Sequence, residues 1–594
     1  MALPRASVDP RDDPTTLPAM THEPFLARLL AVSLALALAT AGCAEPDAGG
    51  EDGTDAGADV VLRGGVVLTA VEGADPVTAL AIAGERVLAV GADAEISDLI
   101  GPDTRVIELD GRLVTPGIND AHLHFASGGL SLLRVDLNGT TTLGAIEERV
   151  RAAAEGQPAG TWIVGRGWDH TRLPEAELGP GGWPTKEALD RAAPDHPVFL
   201  SRVDGHTVWV NSRALEAAGV TAETPDPEGG EIVRDENGEP TGIFKENADR
   251  LVSASIPETE EALLRRGIEA ALEHAAAAGV TSATTSASFR EIAIYRRLAD
   301  DGRLTTRLYA WVPLTGANVD TLRARGVTAA TGDAWLRTGI LKAYSDGTLG
   351  SRTAWMLEPF SDDPSTSGIS TTPAPRMDSL ILAAHEGGLQ IAVHAIGDAA
   401  ARSVLDGVEK AREALGANDL RPRIEHAQVL DVDDLPRFAE LGVIVSMQPT
   451  HATSDMRWVE ERIGHDRAVE GGYVWRSLLD AGARIAFGTD FPVEPIDPVE
   501  GIYSAVTRQS RDQPGDPPNG WLPEQRLSIE EAIRLYTAES AYAEFQEGDK
   551  GTLEAGMLAD LVVWDRDLTS IPPEEILAAA PDLTMVGGRF VYER

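Results

Sequence analysis

Residues 389–395 (LQIAVHA), 422–427 (PRIEHA) and 483–490 (ARIAFGTD) share one pattern: a short apolar run that closes on a histidine or an aspartate. The runs are too short for helices and do not alternate polar with apolar, so they read as strands covered on both faces, as in a parallel sheet. Working outward, the same character recurs at 113–118 (LVTPGI), 279–284 (GVTSAT), 304–312 (LTTRLYAWV), 339–345 (GILKAYS) and 442–448 (GVIVSMQ). Between them lie helical segments such as IEAALEHAAAAG (268–279), MDSLILAAHEGG (377–388), AARSVLDGVEKAREALG (400–416) and VDDLPRFAELG (432–442), each ending at glycine. Terminal glycine is a common helix stop. Eight strands alternating with helices predict an α/β chain built on a (β/α)8 TIM barrel, spanning 113–545.

About 160 residues separate the first expected strand from the second, far more than a loop requires. TWIVGRGWDH (161–170) and HPVFLSRVDGHTVWVNSRALEAAG (196–219) carry strands and helices of their own, so an insertion subdomain is expected at about 130–255. Short alternating strands open the chain in 59–112 and return in 546–594, predicting one small β-sandwich made from both chain ends.

The 594 residues include 94 acidic and 51 basic side chains, for a formal charge of −43. Such a field repels phosphate backbones, which argues against nucleic acid as a partner. Residues 1–43 read as a leader. Arg28 precedes the apolar run Leu29–Ala41, shorter than the roughly 20 residues of a spanning helix, and Met20 gives a more compact start than Met1. The run ends in Thr40-Ala41-Gly42-Cys43, which resembles a bacterial lipobox with Thr40 where leucine is commoner. The expected location is therefore the cell envelope, with a lipid anchor on Cys43; a soluble periplasmic or secreted protein is the alternative. Cys43 is the single cysteine of the chain, so no disulfide forms within it. Residues 44–58, small, acidic and glycine-rich, read as a tether.

In Asp120-Ala121-His122-Leu123-His124 the two imidazoles alternate, so an extended backbone aims both at one ion. The C-terminal ends of barrel strands converge on one rim. That rim gathers His122 and His124 with His394, His426 and Asp490 into a candidate metal site. Five unrelated polar residues that happen to end strands would be the bland alternative.

PGINDAHLH (116–124), WIVGRGWD (162–169), SRVDGHTVWVN (201–211), LKAYSDGTLGSRTA (341–354), VHAIGDAA (393–400), RIEHAQ (423–428) and FGTDFPVEP (487–495) occur in that order. Together they resemble the YtcJ-like branch of the amidohydrolase superfamily, the amidohydrolase-3 type, across roughly residues 59–592. The resemblance, which extends to N-substituted formamide deformylases, implies a metal-dependent hydrolase of non-peptide carbon–nitrogen bonds in a small-molecule substrate. It implies one or two divalent ions, zinc foremost, held by His122, His124, His394, His426 and Asp490. Lys342 matches the lysine that is carbamylated to bridge two metals in binuclear members; an unmodified lysine paired with Asp346 or with substrate is the alternative. Asp490 stands where a general base belongs, and His426 is a ligand or an oxyanion stabiliser.

Trp168, Asp169, Arg202, Asp204, His206 and Gln448 are the candidate substrate contacts, although Asp204-Gly205-His206 also suits a plain turn. His451 and His465 read as surface or supporting residues. Thr284-Thr285 stands where relatives often carry His-Asp, and Asn119 replaces a commoner apolar residue. Two other functions use the same scaffold: a catalytically silent binding or regulatory protein, and a metal-dependent hydrolase of esters, lactones or cyclic amides. A homodimer is the base-rate expectation.

Overall fold

The computed structural model describes residues 57–594. The leader, the Cys43 lipobox and the tether up to residue 56 lie outside the described residues. Ala58, placed by sequence at the end of the tether, is already folded in: its amide donates to Leu99 O at 3.0 Å and its side chain is buried. Among the described residues, no helix is long and apolar enough to cross a membrane.

Eight parallel strands form the central barrel: β1 (Ile118–Leu123), β2 (Val280–Ser286), β3 (Arg307–Pro313), β4 (Leu336–Tyr344), β5 (Gln390–Ala395), β6 (Arg423–His426), β7 (Ile444–Met447) and β8 (Ile485–Phe487). They pair in chain order. The seam between β8 and β1 is nearly closed by backbone bonds just beyond the strand ends, Asp490 N to His122 O and His124 N to Phe491 O, both 2.7 Å. Gly488 permits that approach: a Cβ there would lie 2.5 Å from His122 N and 2.8 Å from Asp120 Oδ1. Helices Glu261–Ala277, Ala374–Glu386 and Asp398–Leu415 fall where the apolar spacing put them. Their buried faces pack on the strands in one apolar core that includes Ile268, Ile381, Val404, Ile391 and Ile424.

The first strand differs from its expected register. Leu113–Pro116 pairs with Val60–Val67 and Leu561–Trp564 in the terminal sheet, and the barrel begins only at Ile118. Both segments are fully buried, so apolar character could not assign LVTP to one sheet or the other. Gly117 makes the crossing between them, where a Cβ would lie 2.1 Å from Thr281 Oγ1.

The terminal strands share one hydrogen-bonded sheet of eight strands. A register break between Arg63 and Val67 interrupts its central strand, and one apolar core takes residues from both chain ends, among them Leu62, Leu80, Val114, Leu561 and Met585. A buried ion pair ties this sheet to the barrel: Arg307 of β3 donates to Asp560 at 2.7 and 3.0 Å. The insertion between β1 and β2 builds a six-stranded sheet running from Val135 to Glu246, with a separate apolar core on each face.

Candidate active site

The barrel's C-terminal strand ends open into a cavity of about 1340 Å³, walled on the far side by the insertion. His122, His124, Lys342, His394, His426 and Asp490 all line it. Two of them hold strained backbone, His426 at φ +76° and Asp490 at φ +60°. Left-handed conformations at non-glycine residues cost energy and concentrate where a side chain must be aimed.

Asp490 is the hub. Its Oδ1 lies 3.2 Å from His124 Nε2 and 3.6 Å from His122 Nε2, while its Oδ2 lies 3.7 Å from His451 Nε2. His122, His124 and Asp490 present ligand atoms all within 4.8 Å of one another, and so do His426, His451 and Asp490. Among the described residues, Asp490 Oδ1 and His451 Nε2 are buried without a well-directed hydrogen bond. Unpaired buried polar atoms are rare in native interiors, so donors facing one another in this way suit a bound cation.

The electrostatics suit it too. Burial holds His122 down to about 4, helped by Lys342, and burial likewise holds His394 and His426 well below their usual range. These imidazoles are neutral, as ligation requires. Burial alone would raise the Asp490 carboxyl, but the imidazoles of His124, His122 and His426 hold it well below its usual value, and it is ionised.

Not every expected residue stands as expected. His394 packs beside His426, with ring centroids 4.5 Å apart, but belongs to neither donor set. Its Nε2 donates to Gly347 O at 2.9 Å, leaving only Nδ1 free. Lys342 Nζ lies 3.4 Å from His122 Nε2 and faces the rings of Trp311 and Tyr344; burial lowers its amine to about 8. The pairing with Asp346 is not formed, because that carboxylate accepts from the amides of Ile396, Gly397 and Trp355 at 3.0, 2.8 and 2.9 Å.

Of the six substrate-contact candidates, Asp169, Arg202, Asp204 and His206 reach the cavity wall. Arg202 bridges Asp169 (2.7 Å) and Asp204 (2.5 Å), so these three charges largely satisfy one another and brace the wall. His206 is held by Glu246 at 2.8 Å and stands over His394, centroids 4.7 Å apart; burial opposes its charge, but Glu246 raises it to about 9. Trp168 is not a contact: it is fully buried between Trp183 and Trp209 in the insertion core, its indole donating to Leu200 O. Gln448 lies behind His426, its Oε1 2.8 Å from Nδ1, and orients that ring. His465 is exposed on Glu460, whereas His451, assigned to the periphery by sequence, is buried in the donor cluster.

Sequence reasoning missed Glu425, whose Oε2 meets His122 Nδ1 at 2.5 Å while Oε1 takes Arg423 Nε at 2.8 Å. The signal was present, since Arg-x-Glu in a strand that reads as fully buried places two charges on one face. It also missed Asp120, which accepts from the amides of His122 (3.1 Å) and Thr489 (3.0 Å) and so stitches β1 to β8 behind the site. Asn119 and Thr284, unexplained from sequence, both donate to the buried Glu544, at 3.2 and 2.7 Å. The position where relatives carry His-Asp thus serves a barrel-stabilising cluster here.

A family model for the amidohydrolase family matches residues 105–592. The chain is 32% identical over 541 residues to YtcJ of Bacillus subtilis (strain 168), covering 90% of this chain and 99% of that protein. It is 29% identical over 534 residues to the N-substituted formamide deformylase of Arthrobacter pascens, covering 87% and 95%. The crystal structure of an uncharacterized metal-dependent hydrolase from Pyrococcus horikoshii OT3 superposes with a TM-score of 0.69 at 30% identity, over 86% of this chain and 99% of that one. The chain belongs to the amidohydrolase family.

Proposed function

We propose that this protein hydrolyses a non-peptide carbon–nitrogen bond, in an amide or formamide-like small molecule, at the cluster centred on Asp490. The observation that carries the reading is the convergence of neutral imidazoles from β1 and β6 on one ionised carboxylate after β8, at the floor of a cavity large enough for substrate. His122, His124, His426 and Asp490 would hold the cation, with Lys342 and His394 alongside. Zinc suits so nitrogen-rich a set. A divalent cation bound there makes water nucleophilic near neutral pH and polarises the scissile carbonyl.

The chain's own groups do the rest. Asp490, ionised in the resting site, accepts the proton of the attacking water at its carboxylate and returns it to the departing nitrogen, which leaves as a neutral amine. Glu425 holds His122, and Gln448 holds His426, each fixing which ring nitrogen faces the cluster. His206, kept charged by Glu246, presents a donor from the insertion wall toward the substrate oxygen. Lys342 is the residue on which a carbamate would form, its amine lowered toward the neutral range that carbamylation needs.

Metal analysis of the dialysed protein, followed by assay of amine release from N-formyl and N-acyl amines beside matching esters, tests the proposal. Metal retention with amine release is expected. Turnover of the esters alone overturns the carbon–nitrogen assignment, and absence of both metal and turnover favours the silent-scaffold alternative. Export and anchoring rest on the leader and Cys43; a mature N-terminus beginning at lipidated Cys43, read by mass spectrometry, is the expected result, and an unmodified one refutes the anchor.

A further inference from the structure

We infer that His451 is a metal ligand, forming with His426 and Asp490 a second cation position beside the one at His122 and His124, so that Asp490 serves both. This rests on the metal-dependent reading above. It goes beyond the expected donor set, because β7 supplies none of those residues, whereas His451 follows β7 on helix Pro449–Asp455.

Three observations carry it. First, the carboxylate is divided: Oδ1 faces His124 and His122, and Oδ2 faces His451. Second, His451 is 7% exposed and, among the described residues, its Nε2 has no hydrogen-bond partner. Third, the 3.7 Å between Nε2 and Asp490 Oδ2 is too long for a hydrogen bond. Two ligand atoms each about 2.1 Å from a tetrahedral zinc lie roughly 3.4 Å apart. The gap therefore matches a shared ion better than a direct contact. His426 completes the group, its ring nearly parallel to that of His451 at 6.0 Å between centroids. On the far side of His451, the amide nitrogen of Gln428 lies 3.1 Å from Nδ1. Rotating that amide by half a turn puts its oxygen on Nδ1–H and leaves the Nε2 lone pair for the ion, the orientation that metal binding would select. His394, the expected partner of His426, has its Nε2 committed to Gly347 O and could join the group only through Nδ1.

The test is metal stoichiometry, not activity. Full-length wild type, His451→Asn and His124→Asn are loaded with Zn²⁺ or Co²⁺, dialysed, and analysed by elemental mass spectrometry and, for Co²⁺, by visible absorption. Two equivalents are expected in wild type and one in each variant, with different residual Co²⁺ spectra because different positions survive. Should His451→Asn fail to fold, Gln428→Leu carries the same question, with the second equivalent weakened 10- to 100-fold. Two equivalents retained at wild-type affinity in folded His451→Asn overturn the inference, as does a wild type that holds only one. A wild type that holds none overturns the metal-dependent function itself, so the two failures are told apart.

Discussion

Replacing Glu425 by glutamine keeps the side-chain shape and removes one charge from the centre of the barrel. Both partners of that charge are buried: His122 Nδ1 at 2.5 Å, and the Arg423 guanidinium, fully inaccessible, at 2.8 and 3.2 Å. Burial alone would raise the Glu425 carboxyl, but Arg423 and His122 hold it well below the usual range, so it is an anion in the native state. Arg423 keeps Ala121 O, Ser446 Oγ and Thr284 Oγ1 as acceptors but loses its carboxylate. Leaving a buried charge without its partner costs about 3–5 kcal/mol, and the surviving neutral bonds place the expected loss at the lower end. At the site, a glutamine oxygen cannot serve His122 and Arg423 equally well, so His122 loses the anion that fixes its proton on Nδ1 and sharpens its Nε2 lone pair. Metal affinity should fall 10- to 100-fold. The assay has two arms: urea unfolding of the metal-free protein, and competition with a zinc chelator of known affinity on the folded protein. A folded Glu425→Gln whose zinc affinity stays within twofold of wild type would refute the claim that Glu425 orients a ligand. Weakened zinc with unchanged stability would refute only the account of Arg423.

Asp490→Asn removes the proton acceptor and should cut turnover of metal-saturated enzyme by about 10²- to 10⁴-fold; a loss below tenfold shows that another group takes the proton. Asp560→Asn, by stripping the carboxylate from buried Arg307 at the junction of barrel and terminal sheet, should destabilise the fold by about 3–5 kcal/mol without changing the Michaelis constant. Comparable unfolding midpoints would discard that junction as a stability element. Burial lowers His385, whose ring nitrogens have no partner among the described residues, from 6.5 to about 4. The folded state therefore binds fewer protons between those values than the unfolded one, and stability is lost as pH falls from 6.5 toward 4, by up to about 3 kcal/mol. His385→Leu should flatten that acid limb in a denaturation series, and parallel limbs in variant and wild type would dismiss the assignment.

Much of this was readable in the chain. Parallel barrel strands are covered on both faces, so β2 to β8 appear as apolar runs without alternation, and polar residues that close such runs stand out as rim residues. His394, His426 and Asp490 were found in that way, His122 and His124 by their alternation, and all five line the cavity. Trp168 misled because a tryptophan between glycine and aspartate in a cavity-wall strand looks like a contact, whereas a register break at Gly167 (φ +96°) interrupts the alternation and turns it into the insertion core with Ile163.

What local pattern determines is the face on which a side chain lies; what lies opposite depends on closure of the barrel and on the backbone at strand ends. LVTP and INDAHL are equally enclosed, and only pairing with Leu561–Trp564 assigns the first to the terminal sheet. His394 and His451 are likewise indistinguishable as isolated histidines. A carbonyl at Gly347 takes Nε2 of the first and leaves it Nδ1, while the carboxylate of Asp490, across the barrel and on a left-handed backbone, faces Nε2 of the second. Such choices are made by contacts between residues far apart in the chain, which is why the tertiary structure alone could make them.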